Sequence, residues 1–270
     1  MRDAAAALAG TSDTARLDAE LLMAHALRVT RSDLLLRHLQ DSVPPDFAAL
    51  IARRGSHEPV AYIVGNQEFF GLDFAVSPAV LIPRGDSEVL VETALAARPD
   101  ARRVLDCGTG SGALLLAVLA NLRGTEGIGI DCSAGAIGVA SANAAALGLA
   151  SRAAMILADW HKPGWADALG RFELILANPP YVEAAADLAP DVRDHEPAGA
   201  LFAGVDGLDD YRVLIPQLPG LLAPGGVASV EIGATQADAV TAIADAVGLE
   251  ATLHHDLAGR ARVLSLIRRP

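Results

Sequence analysis

Along residues 2–57 apolar side chains recur at helical spacing: Leu17, Leu21 and Leu22, then Leu34, Leu35, Leu36 and Leu39, then Phe47, Leu50 and Ile51. Ser12 or Asp13, Ser32 or Asp33, and Pro44-Pro45 supply helix starts, and Gly55 a stop. A small bundle of short helices is expected there. Over 58–84 the texture changes to EPVAYIVGNQEFFGLDFAVSPAVLIPR, where β-branched and aromatic residues surround Gly65, Gly71 and Pro78. That pattern predicts a β-hairpin connector. From 85 to 270 strand-like runs at 102–106, 126–130, 153–157, 172–177, 226–232, 250–255 and 262–267 alternate with helical stretches. Such alternation predicts an α/β domain, a parallel sheet covered on both faces by helices. The last two runs are joined only by DLAGRA, too short for a crossover helix, so one of them should run antiparallel.

Composition narrows the function classes. Of 270 residues 52% are hydrophobic but only 4% aromatic, which suits helices packed on a sheet. The net charge of −12 is opposite to the footprint of a protein that grips phosphates, and the positive charges come in short pairs, Arg53-Arg54, Arg102-Arg103 and Arg268-Arg269. A nucleic-acid partner is disfavoured. Cys107 and Cys132 have no zinc spacing and read as two small buried thiols in a reduced, cytoplasmic chain. The seven histidines share no metal spacing, so no metal is expected. The first residues read as neither signal peptide nor membrane span, and no later stretch reaches membrane length.

The chemistry starts at RRVLDCGTGSGALLLAVLA, a strand, a turn carrying Gly108, Thr109, Gly110, Ser111 and Gly112, and a helix beginning near Ala113. Glycines let a ligand approach the backbone and expose amides at a helix start. Nineteen residues beyond Gly112 a second strand ends on Asp131, where a carboxylate can accept both hydroxyls of a ribose. Asp159 and Trp160 follow the third strand, an acid beside a flat ring that fits an adenine. The ligand looks adenosine-like. On these residues alone a nicotinamide-dependent oxidoreductase remains a rival, because Gly108, Gly110 and Ala113 also satisfy the relaxed dinucleotide fingerprint.

The fourth strand ends in Asn178-Pro179-Pro180-Tyr181. The Asn178 side-chain oxygen and the Pro179 carbonyl make two acceptors, which suit an NH₂ group, while Tyr181 can lie flat against a planar amide or base. This tetrapeptide is similar to that of methyltransferases that modify planar NH₂ groups, in nucleobases or in glutamine side chains.

The wider sequence decides between those. EPVAYIVGNQEFFGLDFAVSPAVLIPRGDSEVLVE, DCGTGSGALLLA, NPPYV, DVRDHEPAGALFAGVDGLDDYRVL, LAPGG, EIGATQ and DLAGRARVL together resemble, in order from about 58 to 267, the HemK-type (PrmC) protein-glutamine methyltransferases. That family methylates the glutamine of the Gly-Gly-Gln motif in peptide chain release factors. The resemblance implies a seven-stranded, Rossmann-like domain dependent on S-adenosylmethionine, preceded by a small all-helical domain at 1–57 that helps grip the release factor. It also implies Asn178, Pro179, Pro180 and Tyr181 as catalytic residues. The implied cofactor residues are Gly108, Thr109, Gly110, Ser111, Gly112, Asp131, Asp159, Trp160 and Asn178, and the chain is expected to act as a monomer. A sister family modifies a ribosomal protein, but Arg84 to Glu88 and HEP at 195–197 fit the release-factor group better. One departure stands out: the family usually has proline after the arginine and threonine before the glutamate, where this chain has Gly85 and Ser87.

Overall fold

The computed structural model describes residues 1–269 and divides into two compact units. The first contains Met1–Asn66 and Leu188–Glu196; the second contains Gln67–Asp187 and the chain from Pro197 onward.

The first unit carries α1 (Arg2–Leu8), α2 (Ala15–Leu27), α3 (Arg31–Arg37), α4 (Phe47–Gly55) and α5 (Val60–Val64). Leu22, Met23, Leu34, Phe47, Leu50 and Ile63 form its core. The leucine run at 34–39 is wider than the buried stripe, for Leu36 and Leu39 are 79% and 55% exposed. Thr30, not Ser32 or Asp33, caps α3, its Oγ1 accepting from the Asp33 amide at 3.0 Å. Asp18 is buried in α2 and takes three donors: Ser12 Oγ at 2.7 Å, Thr14 Oγ1 at 2.9 Å and Arg54 Nε at 2.6 Å. Residues 60–64, read from sequence as part of the hairpin, are helical. Pro59 opens the turn at φ −58° and Gly65 closes it in the left-handed region at φ 75°, and these two ends override the strand preference of the β-branched VAYIV.

The chain continues with a hairpin, β1 (Asn66–Phe69) and β2 (Leu72–Ala75), then α6 (Glu88–Ala97), β3 (Arg103–Cys107), α7 (Ala113–Asn121), β4 (Glu126–Asp131), α8 (Ala134–Ala146) and β5 (Ala153–Leu157). After β6 (Phe172–Ala177) come α9 (Pro190–His195), which belongs to the first unit, α10 (Asp209–Leu214) and α11 (Leu218–Leu221). The chain ends with β7 (Leu222–Glu231), α12 (Ala237–Ala246), β8 (Leu249–His255) and β9 (Ala261–Arg268).

Seven strands make one sheet in the order β5-β4-β3-β6-β7-β9-β8. The first five are parallel; β9 runs antiparallel to both β7 and β8, as the short DLAGRA link requires. Alternate residues of each strand feed opposite faces. Leu105, Ile175 and Ala228 pack with Tyr211, Leu214 and Leu218 on one side. Val104, Leu174 and Leu176 pack with Leu90, Leu115 and Leu119 on the other. Helix α7 is apolar all round and buried from Ala113 to Leu119, as expected of a helix enclosed by the core. The chain leaves β3 toward β4 and β5 on one side, then returns with β6 on the other. Ligands of open α/β sheets bind at such a switch point, outside the carboxyl ends of the strands.

Candidate active site

Register brings those carboxyl ends level. Cys107 pairs with Ile130 on one side and Ala177 on the other, and Asp131 pairs with Leu157. The loops that follow therefore share one rim. They enclose a cavity of about 340 Å³, within the usual size of a small-ligand pocket.

The glycine loop forms its floor. Gly108, Gly110 and Gly112 all take positive φ, at 76°, 55° and 83°. A Cβ on Gly108 would stand 3.1 Å from Trp160 Cη2, so glycine there lets the indole close on the loop. The loop's amides are largely used within the chain. Gly108 and Thr109 donate to the Ile130 carbonyl at 2.9 and 2.8 Å, Gly110 donates to Asp131 Oδ2 at 3.0 Å, and Gly112 donates to the Thr109 carbonyl at 2.7 Å. These bonds take up four of the loop's amides; the amides of Ala113 and Leu114 at the helix start, where the sequence pointed, are not among them.

The field of the floor is negative. Asp106 is fully buried beneath the loop, and Thr109 Oγ1 donates to its Oδ2 at 2.7 Å. Burial pushes the Asp106 carboxyl up to about 7, with Asp131 adding to the rise and Thr109 drawing it back. Asp131 lines the cavity, its Oδ1 accepting from the Ser133 amide at 2.9 Å and its Oδ2 from Gly110, each oxygen keeping a further lone pair.

The side wall is Trp160. Its Nε1 donates to Asp210 Oδ1 at 3.0 Å, and Gln217 Nε2 bonds its carbonyl at 3.1 Å, which locks the ring. Asp159 also lines the cavity, but its Oδ1 accepts from the His161 amide at 2.9 Å and its Oδ2 lies 3.5 Å from Lys162 Nζ. It caps its own turn as well as facing the cavity.

The opposite wall holds Asn178 and Pro180. Asn178 Nδ2 lies 3.5 Å from Ser87 Oγ, and Asn178 Oδ1 has no hydrogen-bond partner among the described residues. Pro179 and Tyr181 are not part of the lining, and neither is Gly112. Tyr181, read from sequence as a backing for a planar group, instead packs against the core, its hydroxyl 3.3 Å from Glu231 Oε1. Burial pushes the Tyr181 phenol up to about 12, the Glu231 charge adding to the shift. The chain leaving the tetrapeptide is clamped. Val182 donates to the Leu201 carbonyl at 2.8 Å, Ala203 donates to the Val182 carbonyl at 2.9 Å, and Gln236 Nε2 donates to the Tyr181 carbonyl at 3.0 Å.

Sequence reasoning missed part of the rim. Val80, Leu81, Ile82, Pro83, Arg84 and Ser87 form one stretch of the lining, and Asp210 a separate point. The only local sign of the first was the Arg84–Glu88 segment, and Asp210 had none beyond its place in GLDDYRVL. Cys107 is buried as expected, but Cys132 is exposed on the cavity rim because it follows Asp131 out of the sheet.

Comparison with known proteins places the chain among its relatives. A family profile described as the PrmC N-terminal domain matches residues 1–65, and one described as a methyltransferase domain matches residues 99–243. A release factor glutamine methyltransferase of Rhodospirillum rubrum is 44% identical over 261 residues, covering 94% of this chain and 79% of that protein. One of Cereibacter sphaeroides is 44% identical over 266 residues, covering 96% and 93%. The crystal structure of a ribosomal protein L11 methylase from Lactobacillus delbrueckii subsp. bulgaricus superposes with a TM-score of 0.50 at 23% identity, covering 72% of this chain and 84% of that one. That likeness concerns the fold alone.

Proposed function

The chain belongs to the release factor glutamine methyltransferase family, and from that premise we propose that it transfers a methyl group from S-adenosylmethionine to the side-chain amide nitrogen of the glutamine in the Gly-Gly-Gln motif of peptide chain release factors. The observation that carries the reading is Asn178, which faces the glycine-loop cavity with Nδ2 toward Ser87 and Oδ1 unbonded. An unbonded amide oxygen at that edge is an acceptor for an NH₂ group.

The residues fit the cofactor. Asp131 would take the ribose hydroxyls with its remaining lone pairs, and Trp160 offers a flat apolar wall for the adenine. Asp131 and Asp159 place carboxylates on the cavity lining, which favours a cationic ligand. When bound, S-adenosylmethionine supplies an electrophilic methyl on a cationic sulfonium.

The chain's own work is orientation. An amide nitrogen is a weak nucleophile because its lone pair is delocalised into the carbonyl. Asn178 Oδ1, on the cavity lining, would accept one hydrogen of the glutamine NH₂, and the carbonyl of Pro179, a residue outside that lining, is the proposed acceptor for the other; together they would fix the nitrogen's direction. Fixed near-attack geometry is worth roughly 7–11 kcal/mol in favourable cases. Binding both hydrogens also draws electron density toward nitrogen. The lining carboxylates already accept hydrogen bonds, Asp131 from two backbone amides, Asp159 from the His161 amide and Asp210 from Trp160, and none of them is assigned as base in the proposed mechanism. The product proton leaves to water.

A protein acceptor also suits the charge. The chain is acidic, and Arg53, Arg54, Arg103, Arg268 and Arg269 all bond chain groups instead of forming a basic stripe. No described helix is long and apolar enough to cross a membrane, and the site of action is read as the cytoplasm, with the chain acting as a monomer. The helices of residues 1–57 are the proposed grip on the release factor. The test is transfer of labelled methyl to release factor, to ribosomal protein and to nucleic acid in parallel. Label in release factor alone supports the reading, and label in nucleic acid instead contradicts it.

A further inference from the structure

Ser87 sits at the end of a short 3-10 turn, Gly85–Ser87, and is 4% exposed. It is far from the tetrapeptide in sequence, yet its Oγ is the one hydrogen-bond partner of the Asn178 side chain among the described residues, at 3.5 Å from Nδ2. Behind Ser87 stands Glu231, the last residue of β7 and 2% exposed. Glu231 Oε1 takes the Tyr181 hydroxyl at 3.3 Å, and its Oε2 is buried without a partner in hydrogen-bonding geometry. Burial raises the Glu231 carboxyl above its ordinary range, and a hydrogen bond from the Ser87 hydroxyl and the charge of Arg262 draw it back toward the ionised form. Arg262 is itself steered by Asp86, whose Oδ2 lies 3.0 Å from its Nη2.

These groups have a direction. A carboxylate only accepts, so the hydroxyl proton of Ser87 is drawn toward Glu231. The serine oxygen then turns lone pairs toward Asn178, where it can accept but not donate. Only the NH₂ end of the Asn178 amide satisfies it, and the flip that puts Oδ1 against Ser87 would set two acceptors face to face. The amide is therefore held with Oδ1 toward the cavity.

We propose that Ser87, backed by Glu231, is a positioning residue that fixes the flip of Asn178 and so makes Asn178 an acceptor, not a donor, toward the substrate amide. The inference rests on the reading of Asn178 as the acceptor for the glutamine NH₂. It also gives the departure at this position a meaning: serine in place of threonine keeps the one group the device needs, the hydroxyl.

The test compares the full-length wild type with Ser87→Ala, Ser87→Thr and Asn178→Ala. Each is measured for turnover on release factor, for S-adenosylmethionine affinity by calorimetry, and for melting temperature. Ser87→Ala is expected to lower kcat on the order of tenfold, the scale of one lost oriented hydrogen bond, with cofactor affinity and melting temperature unchanged. Ser87→Thr is expected to keep the wild-type rate. If Ser87→Ala turns over at the wild-type rate while Asn178→Ala is inactive, the positioning role is overturned and the Asn178 reading stands. Full activity in Asn178→Ala overturns the underlying reading itself. A Ser87→Ala variant that loses cofactor affinity or stability in step with rate, or a Ser87→Thr variant as slow as Ser87→Ala, makes Ser87 a structural residue and overturns the proposal.

Discussion

The indole N–H of Trp160 and the Nε2 of His161 converge on one oxygen, Asp210 Oδ1, at 3.0 and 2.9 Å. Asp210 is 8% exposed and opens α10, so a residue fifty positions downstream holds the cavity's aromatic wall. Removing a charged acceptor that serves a partly buried donor costs about 1.5–3 kcal/mol. Asp210→Ala is therefore expected to weaken S-adenosylmethionine binding by roughly tenfold to a hundredfold. Asp210→Asn, which keeps an acceptor, should lie between. Titration calorimetry reads both, and unchanged affinity in Asp210→Ala would remove Trp160 from the binding wall.

Asp106 predicts a pH dependence. Its folded pKa stands at about 7 against an ordinary 3.8, because burial disfavours the charge. Between those values the folded chain holds a proton that the unfolded chain has released, so this group's contribution to stability falls as pH rises from about 4 to about 7 and is level above. A bound cation reverses the preference and favours the carboxylate. Cofactor binding at pH 6 is thus expected to release a proton, and affinity to rise up to about pH 7. Calorimetry in two buffers of different ionisation enthalpy measures the proton directly, and identical heats would exclude this role for Asp106.

Gly85 bears on stability and not on the cavity. It starts the turn that carries Ser87, its φ is not in the positive range, and a Cβ there would meet nothing within 4 Å. The preceding Arg84 is extended at φ −104° and ψ 142°, the conformation a following proline requires. Gly85→Pro is expected to raise stability by about 0.4–1 kcal/mol by narrowing the unfolded ensemble, with turnover unchanged. Denaturant melts check it; a loss of stability would mean that the Gly85 amide has a native partner.

The sheet was legible because short, mostly apolar runs alternate with helical stretches, so that runs such as 172–177 and 153–157 coincide with β6 and β5. VAYIV was misread for the same reason in reverse, since five apolar residues carry no period long enough to separate strand from helix, and only the ends at Pro59 and Gly65 decide. At the site, Gly108, Asp131 and Asn178 were readable because each ends a strand on one rim. Ser87 and Asp210 were not, because what they do depends on contacts with Asn178 and Trp160 made across the fold. The glycine loop shows a subtler limit. Its glycines were visible, but that its amides bond the Ile130 carbonyl and Asp131 follows only from the neighbouring strand.

Tandem mass spectrometry of a release factor after incubation with this enzyme and S-adenosylmethionine tests the central claim most directly. The account predicts a gain of one methyl on the side-chain nitrogen of the Gly-Gly-Gln glutamine, abolished or slowed by orders of magnitude in Asn178→Ala while that variant still binds the cofactor. An unmodified glutamine with the wild-type enzyme, or full methylation by Asn178→Ala, would contradict it.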